Sequence, residues 1–213
     1  MLPAEKHHQD IREHLNSDSA SLFWHDLIAT LTATRMLTSR PDPITAETQL
    51  LLARTALRGE ILARAYRFVE KHNPFDASGF EDAEIDLSSL LMRRVSYARS
   101  LFSTVTQTGV NNPVSVQIKN DLLLLYIDCL LFSLAAGSGL DAPVLDYSAD
   151  PKQISFTINT AEFAPPDGTG PYQRSWHFTY DVCMFLASAL NITTEIKVMS
   201  DQTVYLSHLS SDE

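Results

Sequence analysis

Ser39-Arg40-Pro41-Asp42-Pro43 divides two helical patterns and constrains the chain more than any other stretch. Two prolines two residues apart cannot continue a helix. Each lacks the N–H that the helical ladder needs, and each pushes the residue before it to extended geometry. Upstream, Ser17 or Ser19 can cap a helix that runs to about Thr38. Downstream, Thr45 opens a long second helix with Glu47 in its first turn. A connection this short makes the pair an antiparallel hairpin.

The apolar faces of the hairpin are wide. On the first helix Ala20, Trp24, Leu27, Ile28 and Leu31 share one stripe at helical spacing. On the second, Leu50, Ala53, Leu57, Ile61, Ala65 and Phe68 make one stripe, and Leu51, Leu62, Tyr66 and Val69 make an adjacent one. One neighbouring helix cannot cover a face of that width. Two hairpins packed as a four-helix bundle can, so a homodimer is expected.

Residues 1–18 are polar and read as a flexible lead-in. The hairpin takes 19–73, and 74–85 read as a linker because Pro74, Ser78 and Gly79 cluster there. Residues 86–213 read as one α/β unit. Asp86 suits the N-cap of a helix to about Val105, and Asp121–Ala136 is a strongly apolar helix. Val114–Ile118, Pro143–Tyr147 and Gln153–Ile158 read as strands. Glu162–Tyr172 is a Pro- and Gly-rich loop, and Thr179–Leu190 is a helix. Thr193–Met199 and Thr203–Leu209 form a closing hairpin around Ser200-Asp201-Gln202. The fold class is α+β, a helical hairpin followed by a two-layer α/β sandwich.

The charge is unevenly spread. Residues 1–75 hold nine of the 16 Lys/Arg and nine of the 26 Asp/Glu, so the whole net charge of −10 falls in the remainder. An acidic α/β unit argues against a nucleic-acid partner and gives little help to a polyphosphate ligand. Cys129 and Cys183 sit in apolar runs without C-x-x-C spacing, which fits reduced core thiols and a cytoplasmic location. The N-terminus lacks a charged-then-apolar signal pattern, and the apolar runs read as too short and interrupted to span a bilayer, so no membrane partner is expected.

Trp24-His25-Asp26-Leu27 carries the candidate chemistry. His25 falls roughly 110° from the middle of its helix's apolar stripe, on the flank, with Asp26 further round. A neutral imidazole is a nucleophile at neutral pH, and a neighbouring carboxylate can orient the ring or take its proton. The dipeptide equally fits a surface histidine beside a helix-solvating aspartate. His7, His8 and His14 have no carboxylate or cysteine at convincing ligand spacing, and His72, His177 and His208 lack the partners that a metal-dependent phosphohydrolase needs. No G-x-S-x-G elbow, P-loop or G-x-G-x-x-G occurs. Arg35 and the arginines of the second helix could lend electrostatic help, or be a solvated face.

The order of parts resembles the catalytic half of bacterial sensor histidine kinases. His25-Asp26-Leu27-Ile28 looks like their phosphoacceptor box, Asp86–Leu91 like the opening of their ATPase domain, and Phe185–Leu206 like its final helix and hairpin. The apolar run from Asp121 to Leu131 stands where the family carries its Mg²⁺-binding asparagine, yet that asparagine has no counterpart. Asn159-Thr160-Ala161-Glu162 stands where D-x-G reads adenine, and Arg174–Thr179 where a glycine-rich lid precedes the last helix.

Keeping the His-Asp hairpin without these motifs resembles histidine phosphotransferases of the ChpT type, except that Ala29-Thr30 stand where a proline usually follows the histidine. The resemblance implies a phosphoryl relay between response-regulator receiver domains, with His25 as carrier and Asp26 as its acid/base neighbour. It implies no ATP and no resident cofactor, with Mg²⁺ supplied by the receiver. Two alternatives remain. One is a kinase-like dimeric module that sequesters a receiver or kinase, and the other is a sensor kinase with a divergent nucleotide site.

Overall fold

The computed structural model describes residues 19–39, 44–71, 79–108, 113–140, 142–160, 163 and 173–209. The lead-in, the prolines at 41 and 43 and most of the 162–172 loop lie outside these residues. Helix α1 spans Ser19–Thr38 and helix α2 spans Ala46–Lys71. Thr45 starts α2 as expected, since its Oγ1 accepts from the Thr48 N–H at 3.1 Å. The two helices pack closely where Gly59 meets Thr30. A β-carbon at Gly59 would sit 2.8 Å from Thr30 Cγ2, so only glycine allows that approach.

After α2 come strand β1 (Asp82–Asp86), helix α3 (Leu87–Tyr97), a single 3₁₀ turn (Arg99–Leu101) and strands β2 (Thr104–Gln107) and β3 (Ser115–Lys119). Helix α4 (Asn120–Gly137), strands β4 (Val144–Asp150) and β5 (Gln153–Ile158), helix α5 (Gln173–Ala189) and strands β6 (Ile192–Val198) and β7 (Thr203–Leu209) complete the described chain. β1 and β3 pair antiparallel. The other five strands form one sheet in the order β2-β4-β5-β7-β6. β2 and β4 run parallel, because β3 and α4 lie between them in the chain and cross over, whereas the hairpins β4–β5 and β6–β7 are antiparallel.

Alternation sets the layers. Leu145, Tyr147, Ile154, Phe156, Ile158 and Tyr205 point to the helices and are buried. Their neighbours Asp146, Ser148, Ser155, Thr157, Thr193 and Glu195 lie on the opposite, polar face. Helix α4 is buried almost all round, from Leu122 to Leu134 apart from Leu124. It has the sheet on one side, where the Tyr126 hydroxyl meets Ser207 Oγ at 2.7 Å. On the other side it meets α2. A helix apolar on every face needs such double cover.

Several expectations are corrected. α4 is long and apolar enough to cross a membrane by length and composition, contrary to the sequence reading, although most of it is buried inside the protein. The helix after Asp86 ends at Tyr97 instead of near Val105. Thr104-Val105-Thr106 is β-branched, and edge pairing with β4 takes it. β1 starts inside the stretch read as linker, because Ala83 and Ile85 pair with Ile118 and Val116. α5 starts at Gln173 instead of Thr179, and Phe178 stacks near Tyr66 at 6.5 Å. The Asp86 cap stands, with the Ser89 N–H donating to Oδ1 at 3.2 Å.

The wide face of α2 is partly covered within the chain. Leu57, Ile61, Ala65 and Val69 join the single core shared with α4 and α5, and Phe68 lies 6.1 Å from Phe185. Among the described residues, the first half of α2, the outer row of α1 and Met36 stay open. Ile28 and Leu31 are each 59% exposed, and Leu50 and Leu51 are 43% and 48% exposed. The expected bundle therefore has these residues to cover, and not the whole double stripe.

Candidate functional site

The backbone at His25 and Asp26 is helical, and their side chains lie outside the described residues. Helical phase still places the positions. Leu27, Thr30, Thr34 and Leu37 form the partly buried row of α1. Stepping about 100° per residue puts position 25 about 160° from the middle of that row. It shares its arc with Ala29, Thr32 and Met36, all exposed. It also lies about 90° from the open apolar row of Ile28 and Leu31 by the same stepping. Position 26 falls nearer the α2 side. Along the hairpin, the Thr30–Gly59 meeting point makes position 25 level with Arg64. α1 also approaches α5.

Three of the four arginines of α2 are anchored on the α/β unit, while Arg67 is exposed. Arg54 Nε donates to the Ser100 carbonyl of the 3₁₀ turn. The Arg58 guanidinium lies 5.8 Å from the centre of the Phe132 ring on α4. Arg64 Nη1 donates to Asp128 Oδ2 at 2.5 Å. Asp128, in the middle of α4, is fully buried. From the other side Arg94 of α3 donates through Nε to Oδ1 at 2.7 Å and through Nη2 to both oxygens at 2.5 Å. The Arg94 guanidinium stacks on Tyr97 at 4.3 Å. Burial pushes the Asp128 carboxyl up from the ordinary carboxylate range, and the Arg94 and Arg64 guanidinium groups pull the other way. Asp128 was missed in the sequence. One aspartate inside Leu122–Leu134 was signal enough, since a buried charge must find a partner.

Asn159, Thr160, Phe163 and Trp176 have structural duties. Asn159 Oδ1 accepts from the Val144 N–H at 2.6 Å, and the Thr160 carbonyl accepts from Thr203 Oγ1 at 2.7 Å. Between the end of α4 and the start of α5, the rings of Phe163 and Trp176 close on Gly137. A β-carbon there would overlap Phe163 Cε2 and sit 2.7 Å from Trp176 Cζ2. The His177 side chain lies outside the described residues. Cys129 and Cys183 are free and buried, and burial pushes both thiols up. Among the described residues no cluster of three or more His, Cys, Asp or Glu could hold a metal.

The fold and site define an α+β protein: a helical hairpin whose first helix carries position 25 on an outward arc, joined, through arginine contacts to a buried aspartate, to a helix-covered five-stranded sheet. No family model matches the chain, and no curated protein matches it. Solved structures are similar. The cytoplasmic segment of histidine kinase QseC matches 81% of this chain and 98% of its own, with 14% identity and a TM-score of 0.47. A bacterial phosphotransferase matches 93% of this chain and 96% of its own, with 13% identity and a TM-score of 0.49. The Acinetobacter baumannii histidine kinase AdeS matches 92% of this chain and 99% of its own, with 10% identity and a TM-score of 0.47.

Proposed function

We propose that the chain is a histidine phosphotransferase. It relays a phosphoryl group between response-regulator receiver domains through His25, without binding ATP, as a homodimer whose hairpins form a four-helix bundle. The observation that carries this reading is the arc of position 25: it lies away from both the α2-facing row and the open apolar row, beside residues that are all exposed. In the proposed step an imidazole nitrogen attacks phosphorus of a receiver's aspartyl phosphate. The N–P bond forms, the acyl P–O bond breaks and the aspartate leaves as a carboxylate. The proton on the other ring nitrogen passes to Asp26 or water. Mg²⁺ held by the receiver supplies charge neutralisation at the transferring phosphoryl group. The second receiver's aspartate reverses the step.

Two further features support the reading. Phe163 and Trp176 fill the space against Gly137 between the end of α4 and the start of α5. A second copy covering Ile28, Leu31, Leu50 and Leu51 removes a row of apolar exposure that the hairpin leaves open. Incubation with a ³²P-labelled receiver tests the relay. Label is expected on the wild-type chain and absent from His25→Gln. A chain that never takes label, or a His25→Gln variant that still does, refutes it.

A further inference from the structure

The α2 arginines serve a purpose that the relay alone does not require. An apolar interface is non-directional, and one helix can slide or rotate on another with little change in buried area. Leu57, Ile61, Ala65 and Val69 alone would leave the hairpin loosely aimed. Arg54, Arg58 and Arg64 instead meet three separate points on the α/β unit. From 54 to 64 these anchors cover roughly 15 Å of helix axis. Each has a different geometry: a carbonyl on the 3₁₀ turn, an aromatic face and a carboxylate on α4. The last is fully buried in the middle of α4, whose backbone fixes it, so the Arg64 bond has a fixed acceptor. Arg64 is also level with position 25.

Building on the relay reading, we infer that Arg64 and Asp128, with Arg54 and Arg58, are positioning residues. They lock the hairpin at one register and angle on the α/β unit, so that a receiver docks on both at a constant spacing and meets His25 already aimed. None of the four touches phosphate. Their effect is carried by the orientation of the hairpin.

The discriminating variant is Arg64→Met. It cuts the bond across the joint but leaves both Asp128 oxygens accepting from Arg94, so no bare charge is buried. Arg94→Met is the counterpart, because it breaks a contact within the α/β unit and leaves the joint bond in place. Spin labels at Met36→Cys on α1 and Thr193→Cys on β6, both exposed positions, report the angle. The buried native cysteines stay unlabelled. Double electron–electron resonance is measured with the labelled chain diluted in unlabelled protein.

The wild type and Arg94→Met are expected to give one narrow distance, and Arg64→Met a distribution at least twice as wide. In phosphotransfer, Arg64→Met should raise KM for the receiver several-fold with kcat near the wild-type value. Arg64→Gln gives the same reading if Arg64→Met does not fold. A distribution as narrow as the wild type's in whichever Arg64 variant folds overturns the inference. If the wild-type chain takes no phosphate at all, the relay reading fails, while the distances still judge the joint.

Discussion

Gly137 is the last residue of α4 and closes against two aromatic rings, so Gly137→Ala tests whether the crevice between α4 and α5 is as full as the geometry implies. The added β-carbon would overlap Phe163 Cε2, lie 3.0 Å from Phe163 Cδ2 and lie 2.7 Å from Trp176 Cζ2. Neither ring can yield freely. Phe163 is 7% exposed, and Trp176 packs against the core. Overpacking of this kind costs about 1–3 kcal/mol. Replacing glycine by alanine in a helix returns at most about 1 kcal/mol, and less at a terminal position. The net expectation is a loss of about 1–2 kcal/mol. For a chain of this size that lowers Tm by about 2–8 °C. Urea melts followed by circular dichroism measure the loss, and repeating the substitution in a Phe163→Ala background measures the clash. The loss should shrink by at least half there. If Gly137→Ala is as stable as the wild type, or costs as much without the Phe163 ring, the crevice is not filled as described.

Three other outcomes are expected. Tyr126→Phe strands the buried Ser207 hydroxyl and should cost about 1–2 kcal/mol in urea melts, with Ser207→Ala in the same chain recovering part of it. Asp86 is held below its ordinary value of 3.8, first by the Ser89 hydroxyl and then by the Ser89 N–H. Its folded pKa is depressed, so its contribution is present above the unfolded value and fades as pH falls through the folded one. Asp86→Asn should therefore flatten the decline in stability below about pH 4, read from melts across pH. Leu31→Glu with Leu50→Glu places charge on the open hairpin face. Light scattering should show the proposed dimer reduced to monomer with the circular dichroism spectrum unchanged, and a dimer that survives both substitutions uses another surface.

The chain sequence carried most of the element plan. Asp86 as a cap, Gln153–Ile158 as a strand and Thr203–Leu209 as the last strand are all local matters of side-chain hydrogen bonding or of alternation, and each is where the pattern put it. The failures share a cause. Thr104 and Val105 left the helical pattern because a parallel partner strand, β4, was available 40 residues on. Residues 173–178 became helix because Phe178 has Tyr66 to pack near and Trp176 has Gly137. Neither partner is visible in a local window.

The same division runs through the candidate site. By itself the sequence determined that His25 and Asp26 share a helix, that the helix belongs to a hairpin, and that position 25 is off the apolar stripe, because helical phase follows from residue spacing alone. Only the tertiary structure decided which edge of the apolar stripe of α1 meets α2 and which stays open, leaving Leu27 partly buried and Ile28 and Leu31 exposed. It alone turned three arginines that read as solvent-facing into anchors on a buried aspartate, a ring and a carbonyl. Those partners lie 46 to 74 residues away in the chain for Arg54, Arg58 and Arg64. A charge finds its partner through space, and residue spacing holds no record of what the fold will bring within hydrogen-bonding reach.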